Sequence, residues 1–570
     1  MKTLILLLMT VSAPVSVMAE PSLVGLWAAK RNFGPDVRGT LTIAGGRAML
    51  AGRSAPVHIE KDEVSFSFAA DEGSFRGVVR GDRIAGYWTQ GGGNTLMPVT
   101  LTKNARGQWR GRIMPPDDHM VVFLPVTKKD DGTLATFVRN PERNFGVFTA
   151  AERLVVDGSH VKLLGKDGDV RAEGTYDAEN DVMSIPLRGG TYDFHRATAA
   201  DEAAFYPRGK NPEPYVYRKP IAQDDGWPVA SVEDVGISRK AITRFIDLIN
   251  TTPIDSLHAS DVHAVLIARH GKLVVEEYFH NTNPDEPHDT RSASKSLLSM
   301  LVGAAMLKGE PVSTSTRVYD IMGRNDADPN KRAITLEHLL TMSSGLDCDD
   351  ADDNSPGAED TMQQQTAQPD WYVFTLDLKS IRKPGEKAVY CSCQPNLAGG
   401  VLARTTHKRL EDLVRDLLAT PLRMENYSLW FSPTRDVYMG GGLRFRPRDF
   451  MKLGQVMLDG GRWNGKQIVS AEWVKRSISP LVHIGDRPYG YLWWLTDYPY
   501  KDRQVRAFYA AGNGGQIVMG VPELDLLIAF FGGNYNDRAL FIPQRVYVPE
   551  QILPAVTDDV SAARGTKGRR

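Results

Sequence analysis

At 570 residues the chain is too long for one hydrophobic core, so two or more domains are expected. With 42% apolar and 24% charged residues it has the balance of a globular protein rather than a disordered one. Its 68 basic and 69 acidic side chains leave a net charge of −1, without the basic surplus that a nucleic-acid or anionic-membrane partner calls for.

Residues 1–19, MKTLILLLMTVSAPVSVMA, read as a signal peptide: Lys2 precedes the apolar run from Leu4 to Met9, and Val17-Met18-Ala19 offers small residues for cleavage. That run is too short to span a bilayer and no later window is apolar enough, so a periplasmic or secreted protein without a transmembrane span is expected. Residues 20–205 then alternate apolar with polar residues between Gly, Asp and Asn turns, as in RGTLTIAGGRAML and SFRGVVRGDRIAGYWTQ. RLVVDGSHVKLL and VRAEGTYDAENDVMSIPL repeat the pattern loosely, which predicts two β-meanders in one barrel- or sandwich-like all-β domain. It carries no charged or histidine constellation and reads as a binding or spacer module whose ligand the sequence does not name.

YPRGKNPEPYVYRKPIAQDDGWP, residues 206–228, reads as a linker. The period then changes. SRKAITRFIDLIN has an N-cap serine at Ser238 and helical spacing. HAVLIARHGKLVVEEYF predicts two strands joined at His270-Gly271, which makes His270 a turn residue rather than a catalytic one. Helices and strands continue through an α/β domain at 229–556, and the polar tail 557–570 is expected to be disordered.

Within that domain RSASKSLL, starting at Arg291, raises a chemical question. A serine hydroxyl is a weak nucleophile until a base takes its proton. Ser292 and Lys295 stand three apart, which on a helix puts their Cβ atoms about 5–6 Å apart on one face. A serine in the first helical turn also sits where backbone N–H groups favour negative charge. To act as base the lysine must be partly neutral, which burial can achieve. The bland alternative is a helix cap beside a solvated lysine. Ser380-Ile-Arg-Lys383 has the same spacing, but Pro384 biases Lys383 away from helix and marks that match as a decoy. Ser294 drops out because the residue three beyond it is Leu297.

Other signals point away from metals. DCDDADDNSPGAED, residues 347–360, lacks the spacing of a calcium loop and predicts a solvated acidic loop near a site mouth. No H-E-x-x-H pair or G-x-S-x-G elbow is present. His338 lies in helix-like LEHLL and reads as structural, and Trp493 and Trp494 are candidates for an apolar pocket or for core packing. No metal or organic cofactor is called for. Of the three cysteines, Cys348 can pair with Cys391 or with Cys393, or all three can be small buried side chains.

Several ordered segments over residues 225–550 together resemble the serine β-lactamase and penicillin-binding-protein superfamily, in particular its class C-like esterase and amidase branch. RSASKSLLSMLVGAAMLKGE is similar to the nucleophile helix, ITLEHLLTMSSGLD to the helix and turn after it, KPGEKAVYCS to the segment with the second-motif tyrosine, and AAGNGGQIVMGVPELDLLIAFF to the strand of the third motif and its neighbour. The resemblance implies an antiparallel sheet flanked by helices plus a helical subdomain. It implies Ser292 as acylated nucleophile, Lys295 as its activating partner, Tyr390 as second base or proton shuttle, and an oxyanion hole from the N–H of Ser292 and one near Gly512-Asn513. Two departures matter. Ser392, a candidate substrate-binding or oxyanion residue, replaces the asparagine after the tyrosine, as in the branch resembling 6-aminohexanoate-oligomer hydrolases. The stretch Ala510-Ala511-Gly512-Asn513-Gly514 lacks the leading lysine or histidine of the third motif that would hold a substrate carboxylate. The expectation is an ester or small-amide hydrolase. A β-lactamase or D-amino-acid peptidase, or a binding protein that has kept the fold and lost catalysis, are the alternatives.

Overall fold

Val262–Arg269, VHAVLIAR, is apolar at nearly every position, and every one of its residues is buried. Such a run is a strand covered on both faces, as its place in the sheet explains. The computed structural model of the protein describes residues 22–33, 37–69, 72–115, 119–324 and 328–557, so the expected signal peptide and almost all of the tail lie outside the described residues. The central sheet is antiparallel, with strand order 272–278, 262–269, 526–532, 516–521, 503–512, 494–500, 487–489 and 482–484. The His270-Gly271 turn joins the first two strands, with His270 at a left-handed φ of 53°.

Helix Arg239–Asn250 starts where Ser238 Oγ accepts the N–H of Ala241, and it buries Ile242, Phe245, Ile246 and Ile249. Helix Pro447–Leu458 packs on strands 516–521 and 526–532, where Gly454 leaves room for Leu527 and Val518. Helix Lys295–Leu307 is buried over its first eleven residues, Lys295 to Ala305, and belongs to the core rather than to the surface. Together with Leu336–Leu340, Trp371–Asp377 and Cys393–Thr406 it forms the helical subdomain. Residues 229–556 thus have the expected β-lactamase-like fold, an antiparallel sheet flanked by helices plus a helical subdomain.

The N-terminal region is all-β, as expected, but it builds two assemblies with separate cores. One is a closed barrel of strands 25–32, 119–128, 134–136, 153–157, 160–164, 170–177, 182–187 and 190–196, filled by Trp27, Val122, Leu124, Leu163, Ile185 and Phe194. The other is a sheet formed by residues 39–113 around Leu41, Phe66, Phe75, Trp88 and Leu101. The chain divides into two compact units, and the division does not follow the expected 20–205 module: residues 31–121 group with residues 198–570. The reason is local. Leu429–Trp430 pairs with Leu96 and Thr95 as an added strand, Tyr87 OH donates to the carbonyl of Glu411, and Arg76 pairs with Glu411 and Asp412 at 2.8 and 3.3 Å.

Residues 206–228 also differ from a plain linker. Tyr215, Tyr217 and Trp227 are buried against the α/β core. Asp225 accepts from Arg448 at 2.5 Å, and Trp227 Nε1 donates to the carbonyl of Arg448 at 3.1 Å. Proline and glycine set the irregular backbone, while aromatic side chains make it a strap.

Candidate active site

The turn bearing Ser292 is held from both sides. The N–H and hydroxyl of Thr290 both donate to the carbonyl of Leu443, at 2.9 and 2.7 Å. Arg291 then takes a left-handed φ of 48°, a conformation that costs a non-glycine residue about 1–3 kcal/mol and needs support. Asp289 supplies it, pairing with the Arg291 guanidinium at 3.1 Å and accepting the Arg291 N–H at 2.9 Å, while the guanidinium lies 4.8 Å over the Tyr535 ring. Burial opposes the Asp289 charge, but Arg291, Arg143 and Arg444 draw its carboxyl down to about 2. Residues Arg291–Ser294 form one tight turn that leads into helix Lys295–Leu307.

Within this turn the two serines are placed differently. Ser294 is fully buried and its hydroxyl donates to the carbonyl of Arg291 at 2.8 Å. Ser292 lines a cavity of about 540 Å³, and Lys295 Nζ donates to its Oγ at 2.8 Å. The ammonium also donates to the carbonyl of Gly440, and it sits 5.1 Å from the centre of the Tyr390 ring. Ser380 is elsewhere engaged, donating to the carbonyl of Arg382, and Lys383 is exposed.

The charge state of Lys295 differs from the sequence expectation. Burial by itself pushes it down, but Tyr390, Glu359 and Asp350 more than offset this and hold it above the ordinary lysine value. The two carboxylates come from the acidic segment, whose Asp350 and Glu359 turn inward rather than to solvent. Asp350 Oδ2 accepts the N–H and hydroxyl of Ser392 at 2.7 and 2.6 Å, Ser392 Oγ is 3.1 Å from Glu359 Oε2, and Tyr438 OH donates to Glu359 Oε1 at 2.6 Å. Burial raises the Asp350 carboxyl, with Lys295 opposing and Glu359 adding to the shift. Ser392, expected to face substrate, is fully buried and does not line the cavity, because these carboxylates occupy its hydroxyl. Among the described residues no group of three or more His, Cys, Asp or Glu side chains is placed to hold a metal.

A disulfide between Cys348 and Cys391, with Cα atoms 5.8 Å apart, ties the acidic segment to Tyr390. Cys393 is free and buried, and burial pushes its thiol up. Trp493 is core, fully buried, whereas Trp494 lines the cavity and stacks on Tyr390 with ring centres 5.6 Å apart. His338 Nδ1 accepts the N–H of Thr335 at 3.0 Å and closes a helix N-terminus.

The opposite wall is the end of strand Arg503–Gly512. A Cβ on Gly512 would lie 2.3 Å from the Thr290 carbonyl and 3.1 Å from Ala293 N, so glycine alone lets this strand lie against the Ser292 turn. Asn513 lines the cavity too, but its side chain exchanges hydrogen bonds with Asn536 at 2.6 and 2.7 Å, which leaves its main chain for the site. The sequence reading missed Asp350, Glu359, Tyr438 and Gly440. The glycine run 440–442 was a visible signal, whereas an inward carboxylate in an acidic loop has none.

The family model Beta-lactamase matches residues 258–535, just under half of the chain. A curated relative, the 6-aminohexanoate-dimer hydrolase of Paenarthrobacter ureafaciens, is 26% identical over 225 residues, covering 37% of this chain and 56% of its own length. The chain thus spans little more than half of that relative. Solved structures to which the chain is similar include a family VIII carboxylesterase, 17% identical with a TM-score of 0.45 over 56% of this chain and 99% of that one. The octameric penicillin-binding protein homologue from Pyrococcus abyssi is 18% identical, with a TM-score of 0.41 over 52% of this chain and 76% of that one.

Proposed function

We propose that the protein is an exported serine hydrolase that cleaves an ester or small amide through an acyl-enzyme on Ser292. The observation that carries this reading is the 2.8 Å hydrogen bond from a buried Lys295 ammonium to Ser292 Oγ at the wall of a cavity shared with Tyr390. Export rests on the signal-peptide pattern of residues 1–19.

Ser292 Oγ attacks the carbonyl carbon, and the carbonyl oxygen gathers negative charge. With Lys295 holding its proton, the acceptor for the Ser292 proton is Tyr390, which lines the same cavity with the Lys295 ammonium 5.1 Å from its ring centre. The main-chain N–H groups of Ser292 and Asn513 take the oxyanion. The proton then passes to the leaving group, and water repeats the sequence in reverse on the acyl-enzyme. The absence of the third-motif cation from residues 510–514 disfavours β-lactam and peptidoglycan substrates. The likeness to a 6-aminohexanoate-dimer hydrolase supports a small amide or ester.

A fluorophosphonate probe tests the assignment. Ser292→Ala should abolish labelling and Ser380→Ala should leave it intact. The opposite pattern would move the nucleophile to Ser380, and no labelling with no turnover of short-chain p-nitrophenyl esters would favour a binding protein.

The raised pKa of Lys295 gives a pH signature. An ammonium that works as a cation is present at low and neutral pH and is lost only as pH climbs through its elevated pKa. On a neutral ester, kcat/KM should therefore hold on the alkaline side past the ordinary lysine value of about 10.4, as far as the fold survives. A rate that instead climbs through that region, with the climb absent in Lys295→Met, would make the neutral amine the active form.

A further inference from the structure

The cavity has a cation after all, supplied from a different element than the third motif. We propose that Arg487, with Tyr509 and Gln544, forms a subsite for a carboxylate carried by the ester or amide, in the same cavity that Ser292 lines. This rests on the proposed role of Ser292 and names the substrate class more narrowly.

Arg487 lies on the hairpin of Val482–Ile484 and Arg487–Tyr489 at the edge of the central sheet. Strand pairing carries the site inward step by step: Tyr489 pairs with Trp494, and Trp494 pairs with Tyr509. Arg487, Trp494 and Tyr509 all line the cavity that contains Ser292. The Arg487 guanidinium carbon stands 4.8 Å from the centre of the Trp494 ring, and that ring stacks on Tyr390. Stacking on an aromatic fixes the plane of a guanidinium while leaving its N–H fork free, the geometry that receives a carboxylate.

The surroundings leave this charge open. Among the described residues no carboxylate pairs with Arg487, which is exposed on the cavity side of the hairpin. The acids across the cavity are committed elsewhere: Asp350 to Ser392, and Asp349 Oδ1 to the N–H of Ala351. Tyr509 provides the second, independent sign. Its side chain is 1% exposed, yet its hydroxyl has no hydrogen-bond partner within ordinary distance. Gln544, Arg487 and Arg545 are the polar side chains that bear on that hydroxyl, and of these Gln544 and Arg487 line the cavity. A buried hydroxyl left unpaired is costly, and an oxygen placed between it and the guanidinium would accept from both.

The test compares two esters of equal chain length on the full-length protein: p-nitrophenyl valerate, which is neutral, and the mono-p-nitrophenyl ester of glutaric acid, which ends in a carboxylate. Arg487→Gln should lower kcat/KM on the acidic ester by about tenfold, mainly through KM, and leave the neutral ester within about twofold. Arg487→Lys should recover part of the loss, and Tyr509→Phe should weaken the acidic ester alone. Equal effects on both esters, or none on either, would overturn the subsite. Glutarate binding, followed by tryptophan fluorescence, reads the subsite without turnover. Arg487-dependent binding in a protein that hydrolyses neither ester would sink the hydrolase reading and keep the subsite; hydrolysis of the neutral ester without Arg487-dependent binding would do the reverse.

Discussion

Lys295→Met should lower kcat/KM on short-chain esters by about a thousandfold or more while the protein still folds. The side chain meets three needs at once: a hydrogen bond to Ser292 Oγ, a bond to the Gly440 carbonyl, and a positive charge facing Tyr390, Glu359 and Asp350. Methionine keeps the length of the side chain and removes all three. Single residues of a nucleophile–base unit commonly cost three or more orders of magnitude. The same change leaves Asp350 and Glu359 sharing one Ser392 hydroxyl without the Lys295 cation. Their repulsion should then raise the Asp350 carboxyl further. An acid whose folded pKa exceeds its unfolded one binds protons more tightly when folded, so the stability of Lys295→Met, relative to the parent, should fall as pH rises above about 4. Urea melts at acid and neutral pH check this. Activity above a tenth of the parent's would rule out the assigned role.

Arg448→Met should be the most destabilising of these substitutions, by about 3–5 kcal/mol, with the Ser292 turn untouched. Arg448 is 2% exposed and binds Asp225 at 2.5 Å, Glu276 at 2.7 Å and the Ile221 carbonyl at 3.1 Å. Removing the guanidinium takes a charged donor from two buried carboxylates and a carbonyl, leaving Asp225 with the N–H of Trp227 and Glu276 with the hydroxyl of Tyr278. Lost partners rather than lost attraction set the size of the effect. Asp225 and Ile221 belong to the 206–228 strap, so the loss should release it. A drop of under about 1 kcal/mol in urea unfolding, with unchanged dependence on urea, would mean that the strap is held by its aromatics alone.

The contrast between these two residues shows what a chain reveals in one dimension. Ser292 and Lys295 were legible because both lie in a single helical turn, where spacing alone brings side chains together. His270 at its turn and Ser238 at its cap were legible for the same reason, since local geometry needs no distant partner, whereas the antiparallel sheet and helical subdomain were implied by the resemblance of several ordered segments to a known family. Ser392 was misread as a substrate contact because its partners, Asp350 and Glu359, lie 42 and 33 positions away. The 206–228 segment looked like a linker because composition reports backbone irregularity and not the core that buries Tyr215, Tyr217 and Trp227.

By itself, then, the sequence determined the class of the α/β region, the nucleophile candidate and its lysine, and the absence of a third-motif cation from residues 510–514. Tertiary structure alone decided the charge state of that lysine, because a buried ammonium answers to every carboxylate within a few ångströms whatever its position in the chain. It also chose Cys391 over Cys393 as the partner of Cys348, grouped residues 31–121 with the C-terminal part of the chain, and carried Arg487 across paired strands to the cavity of Ser292. Each of these outcomes depends on which surfaces meet, and pairing across a sheet or through a core leaves no periodic trace in the residues that take part.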